Sequence, residues 1–176
     1  LAGTAAIVCS IQAVFEKEIR RMLAFSSVAQ VGFILLGLSL ATVAGASAGL
    51  FYLAAHALMK MTLFMALGGL AISIGARRLD ELAGVARDAP WSAAAFAIGA
   101  ASLAGVPLTL GFLAKWRLVA AALEAGQIWI VAVLAIASLL TLLYIGRMIE
   151  AIFFRPAPAG APRAREAPVG VLAPLW

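Results

Sequence analysis

Cysteine, histidine and charge are what this sequence has least of. The single cysteine, Cys9, cannot form an intrachain disulfide, and the single histidine, His56, leaves no His/Cys cluster with the ligand number of a zinc site. No Ser/His/Asp, Cys/His or metal-ligand grouping is discernible, so neither covalent chemistry nor a bound cofactor or metal is expected. Charged residues make up only 12% of the chain against 65% hydrophobic, with a mean hydropathy of +1.08. Soluble globular domains do not reach that balance, and an integral membrane protein is the expectation. The net charge of +5 does not signal nucleic acid, because no basic stripe interleaved with aromatics is present. The cations stand instead in short loops between apolar runs. The chain does not begin with methionine, and no basic leader with a small-residue cleavage site precedes the first run. The apolar run from Ala167 to Trp176 stops short of a membrane thickness. The expectation is an internal fragment of a longer polytopic protein.

What is present in abundance is apolar sequence, and it divides into about five spans on the length a bilayer requires. Leu1 to Phe15 is a short first run, Met22 to Leu40 a second and Ser47 to Ile74 a third, with Ala41 to Ala46 as an uncharged turn between the last two. Gly75 to Ala89 is polar and reads as a surface helix or loop. Pro90 fits the first turn of a fourth span, where its missing N–H costs nothing; that span reaches about Glu124 and is interrupted around Gly105, Pro107 and Gly111. Gln127 to Phe154 is the fifth. If the spans alternate, Lys17, Arg20, Arg21, Arg77, Arg78, Arg87, Arg155, Arg163 and Arg165 all fall on one face, which the positive-inside rule makes cytoplasmic. Trp91 and Trp129 then sit near opposite interfaces, in the zone aromatic side chains favour. The fold class is therefore all-α, a polytopic transmembrane bundle over residues 1–154 with a broken fourth helix. Residues 155–166 read as a Pro-rich cytoplasmic linker, and 167–176 as the start of a further span. A multi-pass protein of the inner (cytoplasmic) membrane is expected. Gly32, Gly37, Gly45, Gly49, Gly68 and Gly69 are expected at close helix contacts.

A few ionisable side chains remain inside these spans, where they are costly and functional by default. His56 and Lys60 are one turn apart on the third span and share a helix face. A lysine ammonium in an apolar site is poorly solvated and can release a proton near neutrality, where histidine also titrates, so the pair forms a candidate two-station proton relay. The bland readings are snorkelling for Lys60 and a simple interhelical hydrogen bond for His56. Lys115 follows the break Gly105-Val106-Pro107-Leu108-Thr109-Leu110-Gly111. Non-helical backbone at membrane depth is tolerated only against protein or a watery cavity, and discontinuous helices mark ion sites in transporters; the bland reading is a structural proline kink. Arg117 is expected to pair with a neighbouring helix or with Glu124. Arg147 and Glu150, three residues apart, are expected to pair with each other, with a proton-exit role as the alternative.

Three stretches resemble the antiporter-like subunits shared by respiratory complex I, membrane-bound hydrogenases and Mrp-type multisubunit cation/proton antiporters. Glu18-Ile19-Arg20-Arg21-Met22-Leu23-Ala24-Phe25-Ser26-Ser27-Val28-Ala29-Gln30-Val31-Gly32 is similar to the family's D-[IL]-K-R-[LM]-[LI]-A-[YF]-[ST]-S-x-[SA]-[QH]-x-G. Ala55-His56-Ala57-Leu58-Met59-Lys60 with Leu63-Phe64 resembles H-A-[LF]-[FM]-K-x-x-L-F-[LM], and Ser102 to Lys115 resembles S-L-A-G-[IV]-P-x-x-x-G-F-x-[SGA]-K. Arg20 stands where the family has lysine and Glu18 where it has aspartate, which keeps the charge pattern.

The resemblance implies the second of two inverted five-helix repeats, the first lying upstream. It assigns Lys60 to a central proton path, Lys115 to its outer exit and His56 to a relay. It also implies other membrane subunits as partners, with protons and, in the antiporter case, Na+ as the ions moved. The ending Ile145 to Phe154 with Arg155-Pro156 resembles the D-type components of Mrp antiporters, whereas Pro107-Leu108-Thr109-Leu110-Gly111-Phe112 also resembles the N-type component of complex I. The D type of Mrp antiporters is the favoured subtype, and a complex I or hydrogenase pump subunit the alternative. A structural membrane scaffold, with its buried lysines paired and inert, is the competing class.

Overall fold

The computed structural model describes residues 1–157 and 164–166. Its helices are α1 (Ala2–Phe15), α2 (Ile19–Ser39), α3 (Val43–Ile74), α4 (Pro90–Ala104), α5 (Leu110–Glu124) and α6 (Ile128–Ile149). Short 3-10 turns occupy Leu79–Leu82 and Val85–Arg87, and α6 runs into a π-helical turn at Glu150–Phe154. α2, α3 and α6 with its π turn are each long and apolar enough to cross a membrane. α4 and α5 have 15 residues each, about 22 Å at 1.5 Å per residue, short of the ~30 Å hydrocarbon core.

The chain's own contacts show how these pieces alternate. At one end Ile19 donates to the Arg77 carbonyl and Leu79 to that of Lys17, while Gly84 donates to Ala151. The ends of α1, α3 and α6 and the start of α2 therefore meet there. At the other end the beginning of α1, the end of α2 and the beginning of α6 line one cavity, through Ala2, Ser39 and Trp129. Since the 3-10 turns lead into α4 at the first end and α6 starts at the second, α4 and α5 make a single crossing between them. Among the described residues the chain thus passes five times between the two ends of the bundle, the fourth pass being broken, and three of these passes have the length and apolarity of a membrane span.

Boundaries differ from the sequence reading in places, each for a local reason. α3 begins at Val43, because Thr42 caps it by accepting from the Gly45 N–H at 3.0 Å. It ends at Gly75, whose φ of +72° is the left-handed C-cap that glycine adopts without strain. α2 begins at Ile19, so its first turn carries Arg20 and Arg21. The α2/α3 crossing depends on missing side chains: a Cβ on Gly45 would lie 2.6 Å from the Gly37 carbonyl oxygen, and one on Gly49 3.0 Å from that of Ile34. Gly68 is different, since a Cβ there would meet nothing within 4 Å. The close-packing expectation fails for it.

Ala164 and Glu166, beyond α6, contact the start of α4 and the loop before it. Glu166 accepts from the backbone N–H groups of Trp91 (2.8 Å) and Ser92 (3.0 Å) and from the Ser92 hydroxyl (2.6 Å), capping α4 with a carboxylate at the positive end of its dipole. Ala164, nearly buried, donates to Asp88 at 3.3 Å. The expectation of a further span over 167–176 lies outside the described residues.

Candidate functional site: two buried lysines and a polar cluster

Lys60 lies near the middle of α3 and is only 6% exposed. Its ammonium donates to the Leu23 carbonyl at 3.1 Å and to the Ser26 hydroxyl, and stands 5.8 Å from the centre of the Phe64 ring. It does not snorkel, because its nitrogen turns inward onto α2. His56, one turn earlier, is half-buried, and its buried Nδ1 has no hydrogen-bond partner. The interhelical hydrogen bond of the bland reading is absent at that atom.

The break creates the second site. Gly105 turns the chain with φ +88° and, with Val106, returns its N–H to carbonyls of the last α4 turn. The carbonyls of Leu103 and Ala104 are left without helical partners, and Lys115 supplies them, donating to each at 3.0 Å. A cation there also faces the negative end of the α4 dipole. Leu108 is held at φ +73°, a strained conformation for a branched side chain, of the kind that gathers at functional sites. Gly111 is required by contact: a Cβ would fall 1.8 Å from the Ser102 carbonyl oxygen, and its N–H donates to the Ser102 hydroxyl at 3.1 Å. Pro107 is exposed at the turn and forms no part of either helix.

The residues not anticipated as a site lie beside Lys60. Ser26 and Gln30 of α2, Tyr52 of α3, and Thr141 and Tyr144 of α6 are all at or below 1% exposure. Tyr52 donates to the Gln30 side-chain oxygen Oε1, and the Gln30 side-chain Nε2 reaches the Thr141 hydroxyl at 3.5 Å. The Tyr144 hydroxyl stands among Ser26, Gln30 and Thr141 but makes no well-formed hydrogen bond. Lys60 is thus joined through Ser26 to a polar chain on three helices. The sequence signal was the spacing of Ser26 and Gln30, and of Thr141 and Tyr144, which places each pair on one helix face.

The outer candidates sort differently. Arg117 meets the neighbouring helix as expected, through its guanidinium 4.8 Å above the Phe51 ring of α3; Glu124 is not its partner. The expected Arg147–Glu150 pair is corrected: Glu150 holds Arg155 in a fork, Nε to Oε1 at 3.1 Å and Nη2 to Oε2 at 3.0 Å. The π-helical turn is the reason, since it bonds each residue to the fifth along and brings positions 150 and 155 together. The ion pairs among the described residues are this one, Arg21–Glu18 and Arg78–Asp80, all exposed. None involves Lys60 or Lys115.

An all-helical membrane bundle with a broken crossing and two buried lysines defines a class, and residues 1–141 match the model of one: the NADH:quinone oxidoreductase/Mrp antiporter transmembrane family. The chain belongs to that family. It is 42% identical over 178 residues to NADH-quinone oxidoreductase subunit N of Desulforudis audaxviator, an alignment covering 94% of this chain and 36% of that one. A solved chain of the Mrp complex from Dietzia sp. DQ12-45-1b superposes with a TM-score of 0.89 at 33% identity, over 99% of this chain and 40% of that chain. A chain of the membrane-bound sulfane sulfur reductase, an archaeal respiratory membrane complex, gives 0.89 at 34% identity over 99% and 36%. The sequence thus spans between 36% and 40% of the length of these relatives.

Proposed function

We propose that this chain is the second antiporter-like repeat of a subunit that moves protons across a cytoplasmic membrane within a multisubunit complex, with its basic loops on the cytoplasmic side. Residues 1–154 form the repeat. The observation that carries the reading is that, among the described residues, Lys60 and Lys115 donate to neutral oxygens and belong to no ion pair. A scaffold would bury a lysine against a carboxylate, because an isolated buried charge is costly. Here each ammonium is held by carbonyl or hydroxyl groups, which can accept from the protonated form yet do not fix its charge. Such a side chain can cycle between charged and neutral forms. His56 and the Ser26–Tyr144–Gln30–Tyr52 cluster flank Lys60 with groups that donate or accept a proton, and Lys115 receives it beyond, at the break. Arg147 and Glu150 lie at the basic end, where Glu150 holds Arg155.

Relatives such as those of Desulforudis audaxviator and Solidesulfovibrio magneticus are N subunits of NADH-quinone oxidoreductases, which supports coupling to electron transfer in neighbouring subunits. A second reading, a D-type component of an Mrp cation/proton antiporter with Na+ as counter-ion, is supported by the close superposition on the Mrp complex. Proton translocation by the assembled complex in sealed vesicles tests what the readings share. Lys60→Ala and Lys115→Ala are each expected to abolish it with the subunit still assembled. Undiminished translocation in both variants would overturn the proposal.

A further inference from the structure

Between the start of α2 and the second half of α3 lies a groove of ≈ 600 Å³ that the proton path leaves unused. Leu23 forms one wall and Phe64, Leu67 and Ala71 the other, with Gly68 opening onto empty space between them. Its mouth carries Glu18, Arg20 and Arg77. Glu18 is committed to Arg21 at 2.9 Å, whereas neither Arg20 nor Arg77 belongs to an ion pair among the described residues. The groove is therefore apolar along its length and cationic at one end. From Phe64 to Gly75 it follows 11 residues of helix, about 16 Å at 1.5 Å per residue, which is roughly one leaflet of a ~30 Å hydrocarbon core.

We infer that this groove is a binding site for one anionic phospholipid. The phosphate is held by Arg20 and Arg77, and one acyl chain lies along Leu67, Gly68 and Ala71 as far as Phe64. Guanidinium groups pair with phosphate in forked geometry, and basic pockets between spans select anionic headgroups. Phe64 and Leu23 also touch the Lys60 site, the first by its ring and the second by its carbonyl, so the acyl chain ends against the wall of that site and keeps water out from this side. A residue at Gly68 larger than glycine would fit the protein and displace the lipid. This explains an open glycine at position 68 on a helix whose Gly45 and Gly49 are tight.

The test is lipid retention by the complete subunit, delipidated in detergent and offered phosphatidylglycerol, phosphatidylcholine or inorganic phosphate, with bound lipid read by native mass spectrometry. Phosphatidylglycerol should be preferred over phosphatidylcholine by about thirtyfold for two arginine contacts. The double variant Arg20→Gln/Arg77→Gln should lose the preference, the Lys/Lys double variant should keep most of it, and Gly68→Leu should lower retention of both lipids. Equal retention of the two lipids would overturn the inference as ordinary annular lipid, and displacement by phosphate as a bare anion site. A disulfide from Gly68→Cys to another segment of the longer protein would show polypeptide in the groove and overturn it too.

Discussion

At the scale of single residues, the features legible in the sequence are those that violate their surroundings. Lys60 and Lys115 stand out because an ammonium in an apolar run needs a reason, and both are buried onto neutral oxygens as that reasoning requires. Tyr144 was marked in the sequence only by its spacing from Thr141, since a tyrosine in a span is ordinary until its hydroxyl is found among Ser26, Gln30 and Thr141 without a formed bond. Tyr144→Phe removes that hydroxyl at nearly constant volume. It should leave assembly intact and lower proton translocation several-fold; an unchanged rate would detach the cluster from the path. The Arg147–Glu150 expectation failed because it assumed α-helical spacing through a π turn, a local change of period that carries no clear sequence mark. On the surface, the backbone N–H groups of Arg78 and then Arg77 hold the Glu81 carboxyl below the usual range. A carboxyl depressed by folding stabilises above its unfolded value and loses that contribution as pH falls through the folded one. Amide protection at Arg77 and Arg78, corrected for intrinsic exchange, should therefore persist below the ordinary glutamate value of about 4.3. Loss at that value would contradict the fork.

At the scale of elements, the break in the fourth crossing was readable from Gly105, Pro107 and Gly111, because their effects on backbone geometry are local. The residue that caps the first half of that crossing was not readable, since Glu166 is 74 residues from Ser92 and only tertiary structure joins them. Glu166→Ala should lower the thermal stability of the purified protein by about 1 kcal/mol, the usual worth of a lost cap, and no change would mean that solvent satisfies those N–H groups equally well. Gly45→Val tests the α2/α3 crossing. With the Gly37 carbonyl 2.6 Å from the added carbon, overpacking of roughly 1–3 kcal/mol is expected, while the same change at Gly68 should be tolerated in the folded state.

At the scale of the whole molecule, the one-sided distribution of Lys and Arg in the sequence predicts that the loops joining the passes alternate between two faces of a membrane. Reporter fusions within residues 75–89 and after Arg155 should both register on the cytoplasmic side, and opposite signals would contradict the arrangement. The most direct measurement of the central claim is proton translocation by the assembled complex carrying Lys60→Arg. Arginine keeps the positive charge at the site but holds its proton under all physiological conditions, so a carrier role and a fixed-charge role separate cleanly. Abolished translocation with normal assembly is the expected result; translocation at the parental rate would show that Lys60 acts only as a charge beside the path.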